Sequence, residues 1–223
     1  MNEKIEQLNS VLKHPCSLII AGPSKCGKTT LIQKFLEHNA TVFDLPPQKI
    51  YYCYSRWQDI FDDLKSVKPS IQFIKGLPKI DLFSKYIRNL LVLDDLMSEC
   101  GNDETIKNIF TVDSHHQNIS VFLLSQNLFS TDKYFRSISI NANYMIILNN
   151  PRDRSQFTYL ARQIDPGNTS FLNECYYDAV DSKEYGYLFL DFTQTTNKIL
   201  RVQSDFCFDD PNSIKRVIYL PKE

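Results

Sequence analysis

Short apolar runs, each closed by small or polar residues, alternate with longer amphipathic stretches along the whole chain. The runs predict strands at 17–21, 49–54, 71–74, 90–94, 119–125, 144–149, 186–192 and 198–203. The amphipathic stretches predict helices at 2–12, 28–38, 57–66, 80–88, 103–110, 153–164 and 169–179. This order is that of an α/β fold with a mainly parallel sheet. Asp165-Pro166-Gly167 ends one helix and opens a turn before the next. Tyr187 to Phe192 followed by Asn197 to Val202 reads as an antiparallel hairpin at the sheet edge. No internal repeat or low-complexity linker interrupts the 223 residues, so one domain is expected, with its core at 14–203 and a tail at 204–223.

The first run is followed by Gly22-Pro23-Ser24-Lys25-Cys26-Gly27-Lys28-Thr29, and then by the helical pattern Thr30 to Leu36. A G-x-x-x-x-G-K-T segment between a strand and a helix is a phosphate-binding loop. Gly22 and Gly27 let the backbone curl so that successive N–H groups point at a polyphosphate. The helix N-terminus adds positive potential there. Lys28 is expected to reach the β- and γ-phosphates, and Thr29 to supply a hydroxyl to Mg²⁺. Gly22 to Thr30 form the expected nucleotide-binding segment. Cys26, flanked by Lys25 and Lys28, is expected to have a lowered thiol pKa and to be oxidation-sensitive.

Asn89-Leu90-Leu91-Val92-Leu93-Asp94-Asp95 places two carboxylates at the carboxyl end of a buried strand, where open α/β sheets hold their ligands. In this Walker B reading Asp94 holds Mg²⁺, and Asp95 orients or deprotonates the attacking water. Ile119 to Ser125 is another such strand, and Gln126 just after it can bridge the γ-phosphate and the water, or serve as an ordinary strand cap. Arg136 and Arg152 flank the 144–149 strand and are the candidates for an arginine delivered to a neighbouring subunit's phosphates, the alternative being surface arginines. His115-His116 read as loop or packing residues, and Trp57 as a core or interface residue, with adenine stacking as its open alternative.

Hydrophobic residues make up 43% of the chain and charged residues 23%, ordinary values for a globular protein. No apolar stretch is long enough to span a bilayer, and the charged start Met1 to Glu6 lacks a signal-peptide core, so an intracellular location and no membrane partner are expected. The six cysteines show no paired spacing, which argues against a zinc ribbon or a disulfide framework. A net charge of −1 excludes a protein that coats nucleic acid, and any DNA contact must be local, transient or multiplied by oligomerisation. Lys65, Lys68, Lys75, Lys79, Lys85 and Arg88 bias one stretch positively, as a solvated face or as such a contact.

Taken together, His14-Pro15 before the loop, Ile50 to Gln58, Leu90 to Glu99, His115 to Phe129, Asn149 to Asp153 and Tyr185 to Leu188 resemble the genome-packaging ATPases of the FtsK–HerA superfamily. The likeness is greatest to the poxvirus-type branch of large DNA viruses, virophages, adintoviruses and Polinton/Maverick elements, and spans residues 14 to 192. The resemblance implies a RecA-like P-loop NTPase domain, a three-layer sandwich that hydrolyses ATP with Mg²⁺. It also implies a homo-oligomeric ring that drives double-stranded DNA into a capsid, with a portal or vertex protein as partner, at the site of virion assembly in host cytoplasm or nucleus. Two residues depart from the pattern. Lys25 stands where many relatives carry Gly, and the shorter Asp95 stands where the wider superfamily often has Glu. Lys25 is then either an additional phosphate contact or a solvent-facing cation.

Two rivals remain, a nucleotide-kinase-type phosphotransferase and a nucleotide-dependent scaffold that binds DNA without turnover. The motor reading predicts strand 119–125 between 17–21 and 90–94, and direct pairing of 17–21 with 90–94 would favour the kinase.

Overall fold

The computed structural model describes residues 2–8, 11–113, 117–210 and 213–221. Among the described residues, ten strands form one sheet: β1 (Asn2–Leu8), β2 (Ser17–Ala21), β3 (Lys49–Tyr54), β4 (Gln72–Lys75), β5 (Asn89–Asp94), β6 (Ile119–Ser125), β7 (Tyr144–Leu148), β8 (Tyr187–Asp191), β9 (Val202–Asp210) and β10 (Ser213–Leu220). Their spatial order is β1-β10-β9-β8-β7-β2-β6-β5-β3-β4. From β7 to β4 every neighbour is parallel, and from β8 to β1 every neighbour is antiparallel. β6 lies between β2 and β5, the arrangement expected of a hydrolase with an added acid.

Both faces of the parallel strands are covered, which is why their sequences are almost wholly apolar. On one face α1 (Lys28–Glu37), α2 (Asn39–Val42) and α3 (Ile60–Val67) close over Leu18, Ile20, Val92, Phe122 and Leu124. On the other, α4 (Met97–Asn102), α5 (Glu104–Asn108), α6 (Phe135–Ile140), α7 (Ser155–Ile164) and α8 (Thr169–Asp181) pack on Ile19, Leu91, Leu93, Val121 and Leu123. The result is a three-layer α/β/α sandwich. Among the described residues, no helix is long and apolar enough to cross a membrane.

Three sequence expectations change. The predicted helix 2–12 contains strand β1 at Asn2–Leu8, paired with β10 at the far end of the chain. Its apolar spacing is compatible with a helix, but the open edge of β10 supplies a ladder that no local signal announces. The predicted helix 80–88 is only a 3₁₀ turn at Ile80–Leu82. Phe83 is buried edge-on against Tyr51, whose hydroxyl donates to the Leu82 carbonyl, and this anchor holds the chain extended. The strand predicted at 198–203 starts only at Val202, because Asn197 caps a 3₁₀ turn over Lys198–Leu200. The predicted hairpin forms between β8 and β9, and the antiparallel side extends beyond it through β10 into the segment read as a tail. His115-His116 lie outside the described residues.

Candidate functional site

The loop after β2 is shaped by the residues that leave no room for alternatives. Gly22 N–H donates to the Ser125 carbonyl at 3.1 Å, tying the loop to the end of β6. A Cβ on Gly22 would fall 2.7 Å from Cys26 Sγ and 3.0 Å from Leu148 Cβ, so a larger residue would have to displace them. Gly27 precedes α1 with φ of 97°, a left-handed conformation that glycine adopts at no steric cost. Lys25 takes φ of 65° without that freedom. Lys25 is exposed on the rim of the cleft.

The Lys28 ammonium folds back over the loop and donates to the carbonyls of Gly22 (2.5 Å) and Pro23 (2.8 Å). Burial lowers its pKa, and the nearby Cys26, Asp94 and Asp95 oppose that shift. Cys26 corrects the sequence reading. Its thiol pKa is raised, because burial outweighs the attraction of Lys28 and the loop N–H groups. The expected thiolate character, and the oxidation sensitivity built on it, lose their basis.

Thr29 Oγ1 and the Asp94 carboxylate meet across the cleft at 3.4 Å. Asp94 ends β5 at 4% exposure, and its Oδ2 also accepts from the buried Tyr52 hydroxyl at 2.7 Å. Burial raises the Asp94 carboxyl, while Tyr52 and Lys28 pull it back down. Two oxygens sharing one octahedral Mg²⁺ at about 2.1 Å sit about 3 Å apart, so this hydroxyl–carboxylate pair fits the ion. Asp95 follows with φ of 56° and turns into the cleft mouth. Its Oδ1 accepts from Gln126 Nε2 at 2.9 Å and its Oδ2 from Ser55 Oγ at 3.1 Å. Ser24, Lys25, Lys28, Thr29, Asp94, Asp95 and Gln126 therefore line one cleft of about 220 Å³, joined by Gln58 and Leu124.

Other predicted residues lie elsewhere. Thr30 is not in this cleft but in a second hollow of about 370 Å³ across Gly27, walled by Leu31, Lys34, Tyr185, Tyr187, Phe206 and Phe208. Arg136, in α6, and Arg152, after β7, are exposed and line neither hollow. Arg154 is held by Asp181 through two hydrogen bonds at 2.6 and 3.0 Å. Trp57 is 44% exposed and so outside the core, packs edge-on against Phe61 and Tyr54, and lines neither hollow. Within the basic stretch, Lys68 and Arg88 are spent on the Leu36 and Pro46 carbonyls, while Lys65, Lys75, Lys79 and Lys85 are exposed.

Sequence reasoning missed Gln58 and Tyr185, which line the two hollows, and Tyr52 and Ser55, which bond to the cleft acids. Only Tyr52 had a signal, a hydroxyl on the strand beside the acidic one. Tyr52→Phe is expected to leave the fold intact and to raise the Mg²⁺ concentration giving half-maximal thermal stabilisation by about tenfold, since it removes a hydrogen bond that orients a ligand carboxylate. A thermal-shift titration with Mg²⁺ measures this, and an unchanged midpoint would show that Tyr52 only packs.

No protein-family model and no curated protein matches the chain. Among solved structures it is similar to the genome packaging NTPase B204 of Sulfolobus turreted icosahedral virus 2 in complex with AMP. The identity is 13% and the TM-score 0.56, over 85% of this chain and 96% of that one. It is also similar to B204, the DNA-packaging ATPase from Sulfolobus Turreted Icosahedral Virus, at 13% identity and a TM-score of 0.54, over 80% and 93% of the two chains. At this identity the likeness is one of fold, and the fold is that of the RecA-like P-loop ATPases: a phosphate-binding loop between β2 and α1, with β6 set between the loop strand and the strand bearing the acids.

Proposed function

We propose that this chain is an Mg²⁺-dependent ATPase that works as a homo-oligomeric ring and translocates double-stranded DNA into a viral capsid. The observation that carries the hydrolytic part is the cleft in which Thr29, Asp94, Asp95 and Gln126 converge beside the phosphate-binding loop. The strand order β2-β6-β5 favours a hydrolase over the nucleotide-kinase alternative. The packaging part is supported by the segment resemblance and by likeness of fold to B204, a genome packaging NTPase solved with AMP and with sulfate. A single domain over 1–223, a capsid portal or vertex protein as partner, and action inside the host cell belong to the same reading.

In this reading the loop N–H groups, Lys28 and the α1 N-terminus hold the polyphosphate. Thr29 and Asp94 would hold Mg²⁺, which supplies charge neutralisation on the phosphate oxygens. Asp95 orients the water and accepts its proton, and Gln126, bonded to Asp95, reports on the γ-phosphate position. The second hollow, beside Gly27 and Thr30, offers an aromatic wall of Tyr185, Phe206 and Phe208 to the base.

The test is steady-state ATP hydrolysis with Mg²⁺, with and without linear double-stranded DNA. DNA-stimulated turnover supports the motor, phosphate transfer to a nucleoside supports the kinase, and binding without turnover supports the scaffold. Arg136 and Arg152, exposed and outside the cleft of their own chain, are the candidates for a finger acting in trans. Mixing Lys28→Ala subunits with Arg136→Ala or Arg152→Ala subunits should restore part of the activity for the arginine that acts in trans. No rescue in either mixture would remove both from the mechanism.

A further inference from the structure

Asp95 is held from both sides by the strands that flank its own. β3 and β5 run parallel with Tyr54 level with Asp94, so the next residue of each strand, Ser55 and Asp95, stand side by side. β6 runs along the other side of β5, with Leu124 level with Asp94. From β3 comes the Ser55 hydroxyl, donating to Asp95 Oδ2 at 3.1 Å, and from the end of β6 comes Gln126 Nε2, donating to Oδ1 at 2.9 Å. The backbone of Asp95 is in the left-handed region at φ of 56°, which lifts the side chain away from the line of β5. The carboxylate stands at the exposed mouth of a cleft, where hydrogen bonds rather than burial fix its plane. Its two bonds, one on each oxygen, do so.

We propose that Ser55 is a positioning residue for Asp95, one half of a two-point clamp whose other half is Gln126. The inference rests on the reading of Asp95 as the acid that orients the water, and deepens it by naming what aims that acid. Each carboxylate oxygen accepts about two hydrogen bonds, so the clamp leaves lone pairs for a water while removing rotation about the carboxylate axis. Gln126 has a second task at the phosphate in the same reading, and when it turns there the Ser55 bond is the one that keeps the carboxylate aligned. Ser55 touches neither the phosphate-binding loop nor Thr29 by any described hydrogen bond, so its effect should fall on turnover and not on nucleotide affinity.

The isosteric pair Ser55→Thr and Ser55→Val separates the hydroxyl from the shape of the side chain. With the full chain, Mg²⁺-ATP hydrolysis by Ser55→Thr should keep kcat within about twofold of the parent. Ser55→Val should lose about tenfold in kcat, the effect of removing one hydrogen bond to a charged group, with KM and the Kd of a non-hydrolysable ATP analogue within about twofold. Ser55→Ala should match Ser55→Val. Equal kcat for the Thr and Val variants, or a loss that appears in KM and analogue affinity instead of kcat, would overturn the clamp while leaving the hydrolase reading standing. Absence of turnover in the unmodified chain would overturn both.

Discussion

Lys28→Ala should reduce ATP turnover by at least about a hundredfold, the effect of deleting one preorganised charged donor from a phosphoryl-transfer site. The Lys28 ammonium donates to the Gly22 and Pro23 carbonyls and lines the cleft. In the proposed site, phosphate oxygens would take the place of those two carbonyls. Burial already disfavours the charged form of Lys28, so its removal relieves a desolvation cost at the same time as it deletes two hydrogen bonds. These effects oppose each other, and the ligand-free stability of the variant should stay within about 1 kcal/mol of the parent. Chemical denaturation and steady-state kinetics on the same preparation decide it. A large loss of stability with the activity loss would mean that Lys28 holds the loop together rather than the phosphates.

Asp95→Asn should lower kcat by about a thousandfold while an ATP analogue still binds with near-parental affinity, because the substitution removes the base of the proposed mechanism and keeps the volume. The clamp survives this substitution. The Asn oxygen can accept from Ser55, and a turned Gln126 amide can present its oxygen to the Asn Nδ2. The loss is then chemical and not structural. Equilibrium binding of a labelled analogue beside single-turnover hydrolysis separates the two. If kcat falls by less than about tenfold, Asp95 is not the base, and another group must orient the water.

Much of the site was legible in the sequence because it is built from local segments. The loop is continuous from Gly22 to Thr29, and its glycines are dictated by a 2.7 Å approach to Cys26 and a left-handed φ at Gly27. Asp94 and Asp95 are legible because a buried strand that ends in two acids follows a phosphate-binding loop in the same chain. The same local reasoning failed at Cys26. Proximity of two lysines in sequence argued for a thiolate, and burial of the sulfur, a property of the packed loop, decided the opposite.

The sequence by itself determined the phosphate-binding loop, the acidic strand end, the central parallel strands and their alternation with helices, since each depends on residues within a few positions of one another. Tertiary structure alone decided which groups complete the cleft. Tyr52 reaches Asp94 and Ser55 reaches Asp95 only because β3 pairs with β5, and Gln126 reaches Asp95 only because β6 inserts between β2 and β5. Tertiary structure also turned the first residues into a strand, by offering Asn2–Leu8 the open edge of β10. The physical reason is the same in each case. Strand neighbours are chosen by hydrogen-bonding edges and buried faces that meet across the fold, and no window of sequence contains both partners.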